Sequence, residues 1–161
     1  MTRVRSRIAS STVLLALAGS ALLGACSDSS PSADREAQIV AAAVRALVPP
    51  SDDETTVTRD VFVGGDEKNR ASLTVQADVL KELDEFESIR FVDDRSEAIS
   101  DTPPHAVHSD GVYLEIGPVP KTGSRITVPA LRYIDRDDQD RLRLRLARSG
   151  ATWTVTAIDP A

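Results

Sequence analysis

The chain has 161 residues, with 19 Lys and Arg against 25 Asp and Glu, giving a formal net charge of −6. This length fits one domain, and the acidic balance argues against a nucleic-acid partner because phosphate binding requires basic surface. The single Cys excludes an intramolecular disulfide.

The first 25 residues differ in character from the rest. Arg3, Arg5 and Arg7 precede Ile8–Leu23, a run of 16 residues without a charge, and the small residues Gly24 and Ala25 follow. A basic start, a short apolar run and small residues at its end predict a secretory signal peptide over residues 1–25. The run is shorter than the roughly 18–20 residues that span a bilayer.

The lone Cys, Cys26, comes directly after this segment, in the run Leu23-Gly24-Ala25-Cys26. That run resembles the lipobox of bacterial lipoproteins. The resemblance implies cleavage before Cys26, a diacylglycerol on its sulfur and fatty acyl chains such as palmitate. Two acyl chains give stable attachment, so we expect the protein on the outer face of the cell membrane. An ordinary cleaved signal followed by a chance Cys is the alternative.

Removing residues 1–25 takes away three Arg and no acid, so 136 residues with a net charge of −9 remain. Residues 26–33 are small and polar, which predicts a tether, and residues 34–161 are expected to form one globular domain. Only three of the remaining basic residues are Lys, and this Arg bias is typical of actinobacteria. The three are Lys68, Lys81 and Lys121.

Helical spacing of apolar residues predicts a first helix over Asp34–Val48, ended by Pro49-Pro50. Alternation predicts a strand over Thr55–Val63. A short second helix, Val75–Leu83, is expected to begin at a cap on Ser72 or Thr74.

The C-terminal part is predicted to be rich in strands. Pro129 predicts an edge strand or a bulge, Ser149-Gly150 a hairpin turn, and Trp153, Val155 and Ala157 a shared strand face. The predicted strands are Glu87–Val92, Gly111–Ile116, Arg125–Ile134, Arg141–Ala147 and Thr152–Ile158. A helical turn is predicted at Ser96–Ile99, between the first and the second of these strands. The fold class is therefore expected to be α+β, with two helices on a mainly antiparallel, curved sheet of about five or six strands.

Three stretches carry a second resemblance: Ser88–Asp94, Gly111–Pro118 and the closing Gly-x-x-Trp-x-Val of Gly150–Val155. They are similar to small secreted or lipid-anchored bacterial domains without an assigned activity. The resemblance covers roughly residues 34–158, supports the fold class and carries no catalytic residue across.

His105 and His108 are the only histidines, and Asp110 follows them closely. Imidazole and carboxylate ligands suit zinc and similar metals. The run lies between Pro103-Pro104 and Gly111, which favours an exposed polar loop over a metal site.

Arg141, Arg143 and Arg145 alternate with leucines, so we expect them on one face of a strand. They form a candidate binding surface for anionic lipid or an envelope polymer, although cross-strand acids would neutralise such a face.

No nucleophile elbow, zinc-protease, phosphate-loop or dinucleotide motif occurs after the signal segment. The sequence therefore favours a non-catalytic binding module in the cell envelope, with the membrane and an envelope protein as partners and no cofactor. A carrier of a lipid or hydrophobic molecule, with a pocket between helix and sheet, is the alternative. A metal-dependent enzyme at His105 and His108 is less favoured. The ligand and the oligomeric state are not predicted.

Overall fold

The computed structural model describes residues 31–48, 59–65 and 70–161. The predicted signal peptide and Cys26 lie outside the described residues, as do the first four residues of the predicted strand Thr55–Val63. The helices and strands are α1 Pro31–Leu47, β1 Val61–Gly64, α2 Leu73–Glu82, β2 Ile89–Phe91, β3 Val112–Ile116, β4 Arg125–Tyr133, β5 Gln139–Ser149 and β6 Thr152–Pro160.

Six strands form one open sheet in the order β2-β1-β3-β4-β5-β6. The predicted α+β class is confirmed. Strand β1 pairs in parallel with both β2 and β3, whereas the other three pairs are antiparallel. Parallel pairing requires a long connection, and α2 supplies it between β1 and β2.

Helix α1 presents a nearly continuous apolar stripe to the sheet. Ile39, Ala43 and Val44 are fully buried, as their helical spacing predicts. The helix begins at Pro31, three residues before the predicted start, and takes in the end of the predicted tether. Proline fits the first turn because its missing N–H would have no partner there.

Helix α2 begins at Leu73, with Ser72 as its cap. The Ser72 hydroxyl accepts a hydrogen bond from the Val75 amide at 3.3 Å, which satisfies one of the free amides of the first turn. Val75 and Val79 are buried against α1 and the sheet.

The two faces of the sheet carry different cores. The face toward the helices, called the helix face, buries the main core together with α1 and α2. Its fully buried residues include Val61, Leu114, Val128 and Leu144.

The opposite face is called the open face, and part of it carries a second, smaller core. There Phe62, Tyr113 and Tyr133 pack under the connection from β2 to β3, which contributes Val92, Ala98 and Val107. The covered part lies over β1, β3 and the end of β4. Farther along the open face, Thr127 and Pro129 of β4 are exposed.

Pro129 lies neither in an edge strand nor at a bulge, because β4 pairs with both β3 and β5 and its register with β5 is unbroken; that prediction is wrong. Strand β3 ends at Ile116, opposite Ala130, and the Pro129 carbonyl accepts from the Gly117 amide at 2.8 Å. The N–H and C=O of one residue point the same way in an antiparallel ladder. The missing N–H of Pro129 therefore faces Gly117, just beyond the end of β3, where the ladder between β3 and β4 stops.

A bulge in β6 changes the predicted face of Ala157. Arg145 pairs with Ala157 but Leu146 pairs with Val155, so Thr156 is one extra residue. Ala157 therefore shares the face of Arg145 rather than that of Trp153. The hairpin turn before β6 is Gly150-Ala151, one residue later than predicted, with Gly150 at a φ of 62°.

Leu144→Ala should lower the free energy of unfolding by about 2–5 kcal/mol, because it opens a cavity in the main core at a fully buried position. Leu73→Ala is the matched control, since that leucine is 82% exposed, and it should change stability by less than about 0.5 kcal/mol. Urea unfolding followed by circular dichroism measures both. Equal effects of the two variants would contradict the described core.

The ion pair between Arg45 and Glu85 makes stability depend on pH. Burial raises the pKa of Glu85, but the hydrogen bond and charge of Arg45 outweigh it, so this pKa lies below its ordinary value of 4.5. A lowered folded-state pKa stabilises the fold above the ordinary value, and the gain is lost as pH falls through the lowered pKa.

Glu85→Gln should therefore cost about 0.5–1 kcal/mol at neutral pH and almost nothing near about pH 3, as for a solvent-screened pair. Urea midpoints of the variant and the wild type at both pH values measure the difference. A difference that persists at low pH would assign the effect to packing rather than to charge.

Candidate functional site

One end of the sheet gathers the first turn of α1, the β3–β4 loop of residues 117–124 and the Gly150-Ala151 turn; we call it the α1 end. The Arg35 guanidinium lies 4.5 Å from the centre of the Trp153 ring. Its Nη2 also donates to the carbonyls of Pro120 at 3.2 Å and Gly123 at 3.0 Å. Arg35 thereby joins α1 to β6 and to the loop.

The α1 end carries several exposed basic residues. The Arg148 amide donates to the Ser124 carbonyl at 2.8 Å, which brings the end of β5 against the β3–β4 loop. Lys121, Arg125 and Arg148 are exposed there. The segments 116–134 and 141–158 contain no Asp or Glu, so neither β4 nor most of the β5–β6 hairpin supplies an acid to this end.

The predicted arginine row, Arg141, Arg143 and Arg145, lies along the open face of β5. All three side chains are exposed, whereas Leu144 and Leu146 are buried on the helix face, so the predicted alternation is confirmed. The strand pairing places the row opposite Leu131, Pro129 and Thr127 of β4.

The row is only partly neutralised. Arg145 Nε lies 2.9 Å from Asp159 Oδ2, and Asp159 faces Arg143 across the β5–β6 ladder. Within the part of the chain that the structure describes, Arg141 and Arg143 form no ion pair. Two unpaired guanidinium groups therefore remain on an exposed sheet face, where either can donate to a carboxylate or phosphate.

An aromatic cluster beside the row was not predicted from the sequence. Arg95 lies over the rings of Tyr133 and Tyr113, at 4.5 Å and 5.6 Å from their centres. The Tyr113 hydroxyl donates to Glu115 Oε1 at 3.1 Å. Burial, and then the Glu115 charge, raise the pKa of Tyr113, so this phenol stays protonated and serves as a donor, not a nucleophile.

A capping box positions Arg95. Asp94 accepts from the Ser96 amide at 2.8 Å, and the Glu97 side chain accepts from the Asp94 amide at 2.9 Å. The hydrogen bonds from Ser96 lower the pKa of Asp94. The spacing of Asp94 and Glu97 was the available signal for this turn, but nothing in it indicated the tyrosines beneath Arg95.

The predicted metal ligands His105, His108 and Asp110 lie in a loop, as the prolines indicated. His105 Nδ1 lies 3.2 Å from the Ser100 carbonyl oxygen. Over residues 31–48, 59–65 and 70–161, no three His, Cys, Asp or Glu side chains form a group suited to a metal ion. The metal prediction gains no support from this geometry.

A pocket of about 200 Å³ lies where the carboxyl ends of β1, β2 and β3 meet α1 and α2. Its lining mixes Val40 and Phe91 with Glu36, Arg70 and Gln76. Arg70 already pairs with Asp93 at 3.1 Å, and Gln76 donates to the Ala71 carbonyl at 2.9 Å. Ligands of open sheets bind at such strand ends, but this space is below the 300–1,000 Å³ typical of small-molecule sites.

No known protein family, no curated protein and no solved structure matches the chain. No helix in the described ranges is long and apolar enough to cross a membrane.

Arg35→Ala should release the first turn of α1 from the sheet and expose Trp153, the only Trp, which is 4% exposed in the fold. We expect emission at longer wavelength and a loss of about 1–3 kcal/mol in stability, because one cation–π contact and two hydrogen bonds disappear. The stability and emission wavelength of Arg35→Lys should lie between those of the wild type and Arg35→Ala, since lysine keeps the charge but lacks the forked donors of arginine. The exposed Arg136→Ala is the control, and emission unchanged in Arg35→Ala would contradict the described contact.

Proposed function

We propose that the protein is a lipid-anchored binding module on the outer face of the cell membrane, attached through Cys26 and without catalytic activity. The basic, apolar and lipobox-like segments in residues 1–26 support the anchor. The observation that carries the binding role is the arginine row, in which Arg141 and Arg143 are exposed without an ion-pair partner in the described part of the chain.

The partner that this surface fits is an acidic face of another envelope protein. The exposed part of the open face combines the row with Thr127 and Pro129. Arginine is enriched at protein interfaces, and guanidinium groups pair with carboxylates through two parallel hydrogen bonds.

Carriage of a lipid or hydrophobic molecule is a weaker proposal. The main core between the helices and the sheet is filled by buried side chains. The pocket at its end is small and has polar groups in its lining. A metal-dependent reaction at His105 and His108 has no convergent third ligand in the described residues to support it.

Cys26→Ala tests the anchor. We expect the wild-type chain to incorporate a fatty-acid label and to fractionate with membranes, because acyl chains on Cys26 hold it there. The variant should lose the label and leave the membrane fraction. Ser27→Ala, at the next residue, is the control and should keep both properties. A wild-type chain that takes up no label, or a variant that stays in the membrane, would contradict lipidation at Cys26.

Arg141→Glu combined with Arg143→Glu tests the binding surface. We expect crosslinking in the native host to join the wild-type chain to an envelope protein, and the double variant to lose most of that product, because like charges would then face each other. Arg59→Glu with Arg136→Glu changes the net charge equally and should keep it. Equal crosslinking in both double variants would show that the arginine row does not bind the partner.

A further inference from the structure

The lipid attachment point and the basic surface of the domain lie at the same end. Helix α1 begins at Pro31, only five residues after Cys26. At about 3.3 Å per residue these span at most about 17 Å. Arg35, in the next turn, binds the β3–β4 loop and stacks on Trp153. The α1 end is therefore held close to any bilayer that carries the anchor.

The α1 end also carries exposed positive charges that an anionic bilayer would attract. Lys121, Arg125 and Arg148 form its exposed basic patch, which we call the α1-end patch. The Ser124–Arg148 backbone hydrogen bond draws the loop and the hairpin together. The three charges therefore lie at one end of the sheet, with Arg125 on the open face and Arg148 on the helix face. Basic groups beside a membrane anchor are attracted to anionic headgroups within about a Debye length, roughly 8–10 Å.

The acids near the start of α1, Asp34 and Glu36, each have basic residues close by. Asp34 lies beside Asp78 and Lys81 of α2, and Glu36 lines the pocket with Arg70. Gly117, Pro118 and Val119 of the β3–β4 loop line that same pocket, so Glu36 lies beside the loop, with Arg70 as a nearby counter-charge. At the opposite end of the sheet, the β4–β5 connection carries Asp135, Asp137 and Asp138. In the antiparallel half of the sheet, Lys121, Arg125 and Arg148 therefore lie at the end near the start of α1, and these three Asp residues lie at the other end.

From this juxtaposition we propose that the α1-end patch docks on the anionic phospholipid headgroups of the membrane that carries the anchor. Docking stands the strands roughly along the membrane normal. The open face, with its arginine row, then points sideways along the bilayer, accessible to another envelope protein. This inference rests on the proposed lipid anchor, but it adds a second, electrostatic attachment that the anchor alone does not require.

The test uses the lipidated full-length product, reconstituted into vesicles of phosphatidylcholine alone or with about one third phosphatidylglycerol. Flotation of the protein with both kinds of vesicle checks the anchor. A fluorophore on Thr122→Cys in the loop, or on Asp137→Cys at the far end, then reports distance to an acceptor lipid by energy transfer. Cys26 is blocked by its lipid, so each introduced thiol is the one labelled.

We expect the Thr122→Cys probe to lie closer to the bilayer in anionic vesicles than in neutral ones, and the Asp137→Cys probe to stay distant in both. High salt should abolish the difference because it screens the attraction. Lys121→Glu with Arg148→Glu should reduce the docked population at least tenfold, since each basic residue near an anionic surface contributes about fivefold. Arg59→Glu with Arg136→Glu is the charge-matched control and should dock normally.

A protein that does not float would overturn the anchor itself. A protein that floats, but whose Thr122→Cys probe gives the same energy transfer in both vesicle types, would overturn the docking and leave the anchor intact. Equal losses of docking in the two double variants would assign the effect to net charge and would also overturn docking through the α1-end patch. A probe that responds only to an added anionic polymer would make that polymer the occupant in place of the membrane.

Discussion

The packing of α1 across the helix face of the sheet is the constraint on which the rest of the structure depends. The helix buries its apolar stripe, including Ile39, Ala43 and Val44, against strands from both the parallel and the antiparallel parts of the sheet. Burial of such side chains is the main source of stability in a domain of this size. Because α1 runs from the α1 end toward the opposite end of the sheet, the same packing also fixes at which end of the domain the chain enters the helix.

The sequence predicted the local elements well because hydrophobic periodicity reports which face of an element is buried. Both helices lie within a few residues of their predicted ranges, and the alternation of Arg143 with Leu144 is confirmed. The parallel pairing of β1 with β2 and β3 could not be predicted from hydrophobic periodicity, because strand order depends on tertiary packing. The β6 bulge likewise moved Ala157 to the other face through one extra residue, which periodicity cannot show.

Some surface features could likewise be predicted from the sequence, whereas others depend on the tertiary fold. The arginine row follows from alternation alone, so its exposure was predictable, but the pairing of Arg145 with Asp159 depends on the register of β5 with β6. The stacking of Arg95 on two tyrosines joins a loop to β3 and β4, and no local pattern indicates it. The α1-end patch could not be predicted from a local pattern either, because its residues come from separate strands and loops that only the fold brings together.

The contacts of Arg35 also decide how the domain responds to mechanical force. A pull on the chain at Pro31 reaches Arg35 after about one helical turn. Arg35 transmits the force to Trp153 and to the carbonyls of the β3–β4 loop. The force is then shared between β6 and β4, which are tied together through the long ladders of β5. Tension from the proposed lipid anchor would thus be spread over the antiparallel half of the sheet instead of separating α1 from its end.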